Sequence, residues 1–270
     1  PVDAKAVKFS IERVQKMKKG PSDYFKVVES IETPDASTVV FHLKKPFAPF
    51  IYTFAVNASG IVNPKVMDQA KDNDMGTSYL ATHTMGSGAY EITSYTPSQS
   101  IKIDAQKNYA GKAPAISHVI FHIIKDPSAQ RLQLEKGDLD IAQGIPMDQI
   151  DQLKLNKEIH VYEDPSLLCS LVYLNNQKGP MANKDFRRAL SYAIDYKAVI
   201  DGAVKGRGEA LTSAVPKGMW AKDDSLTGYT YDLNKAKELL AASGENVTEM
   251  TLTYSDNKAY NEAEALLIQN

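Results

Sequence analysis

The sequence predicts an α/β fold, and three features carry that expectation. Some short stretches alternate apolar and polar residues, others place apolar residues every three to four positions, and Gly, Pro, Asn and Asp clusters separate them. The alternation is clearest between Met85 and Ile124. Ala89, Glu91 and Thr93 alternate with Tyr90, Ile92 and Ser94, Ile101 and Ile103 form a second pair, and Val119, Phe121 and Ile123 a third. Pro97 and the Gly111–Pro114 turn separate these stretches. A sheet with a polar face needs solvent or cover on that face, so an antiparallel or mixed sheet is expected.

In chain order, Asp3 caps a helix with Ala4, Val7, Ile11 and Val14 on one face, stopped by Gly20-Pro21. FKVVESIE and STVVFHLK read as a hairpin turned at Thr33-Pro34-Asp35-Ala36. In its second strand Val39, Phe41 and Leu43 share one face. The Pro46–Pro49 stretch closes a core edge, Asn63-Pro64 opens a polar helical segment, and Asp72–Asp74 with Gly76 is a loop. That loop lacks the ligand spacing of a calcium site. Asp126-Pro127 begins a helix that ends at Gly137, Asp138–Ala142 is a short strand, and Pro146 opens another helix. A strand pair is expected at 159–163 and 167–174.

The helix capped by Asn183 has the broadest apolar stripe, Phe186, Ala189, Leu190, Ala193 and Ile194, with Arg187 and Arg188 off it on a solvated or locally paired face. Asp195 caps the next helix, and Gly202, Gly206 and Gly208 loosen the chain after it. Residues 210–231 have no periodicity. Asp232 caps a helix burying Ala236, Leu239 and Leu240, Met250, Leu252 and Tyr254 form a strand, and the last residues are helical. Both ends read as cuts within a longer protein: the start is already helical, without a leader, and the finish lies inside a helix.

Composition narrows the function. With 31 Lys and Arg against 33 Asp and Glu, a formal charge of -2 in 270 residues, the basic stripe of a nucleic-acid binder is not expected. No run of eighteen apolar residues is present to cross a membrane. The single cysteine, Cys169, in LLCSLVYL, reads as a small buried hydrophobe. His118 and His122 lie on a strand, about 13 Å apart by strand rise, too far to share a metal. They read as partly buried neighbours of Val, Ile and Phe. No metal site, cofactor or catalytic constellation is expected. Gly86-Ser87-Gly88 offers backbone N–H groups to an anion or a peptide carbonyl, or serves only as a turn. The Asn57-Ala58-Ser59 and Asn246-Val247-Thr248 sequons are chance matches.

Several long blocks together resemble the family 5 extracellular solute-binding proteins, the peptide, dipeptide and nickel binders of ABC importers. They are GSGAYEITSY, KNYAGKAPAISHVIFHIIKDPSAQRLQLEKGDLDIA, LVYLNNQKGPMANKDFRRALSYAIDYKAVIDGAVKGRGEA, VPKGMW and YTYDLNKAKELLAASG. The chain departs from the family at Ala89, where proline is frequent, and at Met181, where phenylalanine is.

The resemblance implies a two-lobed, periplasmic binding protein-like fold of the large peptide-binder class (type II), incomplete in this chain. Residues 1–80 would end the accessory subdomain of lobe one, 81–209 form its main part, and 210–270 begin lobe two. The cleft would hold Gly86, Ser87 and Gly88, the strand residues Cys169, Leu171, Tyr173 and Asn175, and Trp220. Tyr173 is either a ligand wall or a core-edge ring, and Trp220 faces the cleft or packs the hinge. The implied partners are a small peptide or another small solute (a nickel complex, an opine or an oligosaccharide) and the permease subunits. The parent is expected to be a monomer on the periplasmic or extracellular side of the membrane, lipid-anchored in some members. A receptor or chaperone module on the same scaffold is the reading from another class.

Overall fold

Asp3 starts the first helix as expected: its carboxylate accepts from the Ala6 N–H at 2.8 Å, and α1 runs Ala4–Met17. The computed structural model describes residues 2–256 and 258–270. Its residues gather into two units, Pro1–Lys125 and Asp126–Asn270.

In the first unit, α1 ends sooner than Gly20-Pro21 suggested. Lys18 adopts the left-handed conformation (φ 50°) and its N–H reaches the Gln15 carbonyl, while Gly20 begins a 3-10 helix, Gly20–Phe25. The hairpin follows as β1 (Val28–Glu32) and β2 (Val40–Leu43), antiparallel, with a register shift between Val28 and Ser30. Ile11 and Val14 of α1 pack with Phe25, Val28 and Ile31, and Phe41 and Leu43 of β2 close on them. Phe50 and Phe54, from the 3-10 helix Ala48–Ala55, complete this core, each with its ring edge-on to Phe41 at 5.4 and 5.3 Å. This arrangement adds to burial because a ring's positive edge meets a negative face. Arg13 is buried too; its Nε donates to the Met75 carbonyl at 2.7 Å and Nη2 to Thr77 Oγ1 at 3.2 Å.

A 3-10 helix capped by Asn63 (Pro64–Gln69) and a single helical turn, α2 (Thr77–Leu80), lead to the sheet. β3 (Tyr90–Thr96), β4 (Ser100–Ala105) and β5 (His118–His122) form an antiparallel meander in chain order. The sheet is the one its alternation predicted. Its histidines differ from expectation: His118 is exposed and its Nδ1 pairs with Asp104 Oδ1 at 2.7 Å, and His122 is exposed as well.

The second unit is helical: α3 (Pro127–Lys136), α4 (Met147–Leu153), α5 (Lys184–Ala193), α6 (Tyr196–Val204), α7 (Leu233–Ser243) and α8 (Ala259–Gln269). Asp126, Asn183, Asp195 and Asp232 each cap the helix assigned to them. α5 packs on α7, burying Phe186 and Ala189 against Ala236 and Leu239. Leu240 is 43% exposed, not buried. Gly202 lies inside α6 and does not loosen it; Leu267 Cδ1 of α8 sits 2.7 Å from where its Cβ would stand, so glycine lets the two helices close.

Four expected strands are absent among the described residues of this unit. Asp138–Ala142, the 159–163 and 167–174 pair, and Met250–Tyr254 run without a ladder. Alternation marks a residue pattern that suits a sheet, but a strand needs a partner backbone for its N–H and C=O groups.

Candidate functional site

The site is built on α5. Asn183 starts it, its side-chain oxygen accepting from Asp185 N–H at 3.0 Å and Phe186 N–H at 3.4 Å, while its amide donates at 2.9 Å to the carbonyl of Ser243, the last residue of α7. With Phe186 and Ala189 turned to the core, Lys184, Arg187, Arg188 and Ser191 fall at i, i+3, i+4 and i+7 on the other side. That face is the floor of a cavity of about 390 Å³. Val172, Tyr173 and Leu174 form one wall, Asn176 a corner, and Tyr229 another wall.

The walls are held from outside the cavity. Tyr229 meets Tyr192 of α5 edge-on, with centroids 5.1 Å apart, and the Asp232 N–H donates to the Tyr192 carbonyl at 2.9 Å. Tyr196 donates its hydroxyl to the Ser191 carbonyl at 2.9 Å, and burial, then Tyr229, pushes its phenol above the usual range. The extended segment leading to Tyr173 is tethered by side chains. Glu163 pairs with Lys154 and accepts from Arg207 Nε at 2.6 Å; Arg207 also reaches Asp151 at 2.5 Å. Lys154 first, then Arg207, holds the Glu163 carboxyl below its ordinary value. Ser170 donates to Glu264 of α8 at 2.6 Å.

The floor is strongly cationic. Arg187 Nη1 donates to the carbonyls of Met181 (2.6 Å) and Ala182 (3.0 Å), and Arg188 pairs with Asp185 at 3.2 Å. Lys184 has no hydrogen-bond or ion-pair partner among the described residues. Among the described residues no carboxylate lines the cavity beside these three cations.

The expected site residues divide between the two units. Gly86, Ser87 and Gly88 are exposed ahead of β3 in the first, where the Asn63 N–H donates to the Met85 carbonyl at 2.8 Å. A Cβ at Gly88 would meet open space, and neither glycine has positive φ, so the backbone does not demand glycine there. In the second unit Tyr173 is 87% exposed and lines the cavity. Asn175 instead accepts from the Gln177 N–H at 3.1 Å, and its neighbour Asn176 takes the corner. Leu171 is 42% and Trp220 58% exposed. Cys169 is half-buried on the extended segment, its Sγ 3.6 Å from the Leu167 carbonyl, and not a core residue. Lys184, Arg187, Arg188 and Tyr229, which line the cavity, were not among the expected site residues. The helical spacing of the first three was the available signal, because it sets a continuous basic face opposite the stripe.

The whole chain, residues 1–270, matches the model of the bacterial extracellular solute-binding proteins, family 5 middle. The chain belongs to this family. Family 5 proteins bind solutes and are not enzymes, and the chain carries part of their mixed α/β, two-lobed periplasmic-binding-protein fold. It is similar to the probable D,D-dipeptide-binding periplasmic protein DdpA of Escherichia coli (strain K12), with 38% identity over 271 residues, covering 100% of this chain and 52% of that protein. The dipeptide-binding protein of the same strain is 29% identical over 236 residues, 85% of this chain and 44% of its own length. Among solved structures, the periplasmic binding protein DppA from Helicobacter pylori, in complex with the peptide STSA, gives a TM-score of 0.77 at 26% identity over 90% of this chain and 50% of its own. This family 5 chain thus spans about half the length of the curated relatives it matches.

Proposed function

We propose that the protein is the solute-binding component of an ABC importer, capturing dipeptides or oligopeptides on the periplasmic or extracellular side of the membrane and delivering them to permease subunits. The observation that carries this reading is the 38% identity over the full chain to a probable D,D-dipeptide-binding protein. The likeness to a binding protein solved with a peptide supports it. In this reading residues 1–80 end an accessory subdomain, 81–209 make the main part of lobe one, and 210–270 begin lobe two. Gly86, Ser87 and Gly88, with Cys169, Leu171, Tyr173, Asn175 and Trp220, belong to the cleft.

The mechanism is a population shift: a solute that touches both lobes favours the closed form by its differential affinity for that form. Peptide backbone groups pair as an added strand would, and side chains occupy roomy pockets. Native mass spectrometry on the parent protein purified gently from cells tests the reading. Extra masses spaced like short peptides, lost after denaturation and refolding, are expected. A single fixed extra mass, unchanged between preparations, would overturn it in favour of a narrow small-solute binder.

A further inference from the structure

We propose that Ser10 and Arg13 of α1 are positioning residues for the Gly86-Ser87-Gly88 turn, holding it for a solute carbonyl without touching the solute themselves; this rests on the reading above that the turn belongs to the cleft. Both side chains are buried, Ser10 at 2% and Arg13 at 8% exposure. A buried hydroxyl or guanidinium costs stability unless it is bonded, and α1 would form as well with alanine and leucine at these positions. What the two polar groups add is reach to other segments of the chain.

Ser10 holds the segment that anchors the turn. Its Oγ donates to the Ala6 carbonyl at 2.7 Å within the helix and accepts from the Val62 N–H at 3.0 Å. Asn63, the next residue, donates its N–H to the Met85 carbonyl at 2.8 Å, and Met85 directly precedes Gly86. Gly86 lies beside the Ile61 carbonyl, which is 3.7 Å from where its Cβ would stand. Two hydrogen bonds therefore link α1 to the turn.

Arg13 fixes the approach along the chain. Its Nε donates to the Met75 carbonyl and its Nη2 to Thr77 Oγ1, on either side of Gly76. Met75 and Gly76 are both left-handed (φ 55° and 75°), a conformation a methionine keeps only when its surroundings hold it. A Cβ on Gly76 would stand 2.6 Å from Val66 Cγ2 and 2.9 Å from the Val66 carbonyl oxygen, so this loop sits directly on the buried Val66. Asp74 closes the loop, accepting from the N–H groups of Lys71, Gly76 and Ser78. α2 leaves from here, and Thr84 beyond it accepts from the Ile92 N–H of β3 at 2.9 Å. Between these ties, the N–H groups of Gly86, Ser87 and Gly88 donate to nothing among the described residues. A turn with open donors and both ends held is preorganised for an acceptor, and the residues that hold it set its geometry.

The test uses the parent protein labelled with nitrogen-15 glycine and stripped of solute by unfolding and refolding. Ser10→Ala and Arg13→Lys should each displace the Gly86 and Gly88 amide signals. Each should also weaken binding of alanyl-alanine, measured by calorimetry, by about threefold to tenfold, the range of one hydrogen bond. Ile11→Val trims a methyl group from the neighbouring apolar core; it should lower the melting temperature while leaving the glycine signals and the affinity unchanged. If Arg13→Lys does not fold, Ser10→Ala decides alone.

Unmoved Gly86 and Gly88 signals in the folded Ser10 and Arg13 variants overturn the positioning role and leave peptide binding intact. An affinity loss in Ile11→Val equal to that in Ser10→Ala overturns it too, because general destabilisation then accounts for both. Displaced signals at wild-type affinity remove the turn from the cleft, and the proposal with it. A wild type that binds no alanyl-alanine counts against the dipeptide reading alone, and the glycine signals still decide whether Ser10 and Arg13 set the turn.

Discussion

The β1–β2 hairpin and the 159–174 segment carry the same kind of pattern and end in opposite states. Both are rich in β-branched, aromatic and other apolar residues that suit a strand. In the hairpin, Val28 and Ile31 are buried at 3% and 4% exposure, and Phe41 and Leu43 pack against them. In the segment, Tyr162, Leu168 and Tyr173 are exposed at 87%, 77% and 87%. The hairpin has a ladder, a helix above it and a phenylalanine cluster at its edge. The segment has neither ladder nor layer, and side-chain tethers at Glu163 and Ser170 hold it. Residue pattern therefore sets which side a strand would bury, and a second element decides whether it buries anything.

Backbone hydrogen exchange should show the largest contrast. The paired amides of β1 and β2, such as Ile31 opposite Phe41, should be protected on the order of a thousandfold more than those of residues 161–174. Comparable protection in both would mean that the segment pairs with a backbone in solution, and the contrast would be broken.

Ring removal sharpens the same contrast energetically. Phe25 is fully buried, with Phe54 edge-on at 5.9 Å, so Phe25→Ala should cost about 3–5 kcal/mol through lost burial and an unfilled cavity. Tyr173→Ala removes a ring of similar size from an 87% exposed position and should change stability by less than about 0.5 kcal/mol. Urea unfolding followed by circular dichroism gives both values. A cost above about 1.5 kcal/mol for Tyr173 would show that its ring is a packed core residue in solution.

Next in size is the helix beside the segment. Asn183 accepts from two N–H groups at the start of α5 and donates to the carbonyl of Ser243 at the end of α7. Asn183→Ala should cost about 1–2 kcal/mol, and Asn183→Asp less, since Asp keeps the cap and loses only the donor. Equal losses in the two variants would assign the cost to the Ser243 contact.

Much of this was legible in residues. Asp3, Asn183, Asp195 and Asp232 were readable as caps because a short oxygen-bearing side chain before an amphipathic run has one local use. The β3–β5 meander was readable because its strands are neighbours in sequence, as were the hairpin strands β1 and β2. The strand expectations failed at Asp138–Ala142, 159–174 and 250–254, where pairing depends on distant backbone that no local pattern names. Lys18 ended α1 ahead of Gly20 because a lysine tolerates one left-handed residue when its N–H gains the Gln15 carbonyl. Of the cavity's lining, Tyr173 was named through the family resemblance, whereas Lys184, Arg187 and Arg188 read as an ordinary solvated face, because Tyr229, which lines the cavity with them, lies some forty residues on in sequence.

The smallest effect expected lies in the hairpin's own turn and appears only in acid. Asp35 accepts hydrogen bonds from the Thr38 side chain and from the Ser37 N–H and hydroxyl (2.8 and 2.9 Å), which hold its carboxyl down to about 2 from an ordinary 3.8. The next residue's carbonyl accepts from the Ala4 N–H at 2.9 Å, so this turn also anchors the start of α1. A carboxyl depressed in the folded state stabilises fully above its unfolded value, and that contribution is lost as pH falls through its folded value. For Asp35 the window runs from about 4 down to about 2. Asp35→Asn keeps a turn-forming side chain and removes the titration. Melting temperatures of the two proteins should therefore run parallel above the window and converge within it as the wild type loses its advantage. Curves that stay parallel down to the lower limit would mean the turn is no better ordered than the 159–174 segment, and the contrast between the two regions would rest on the ladder alone.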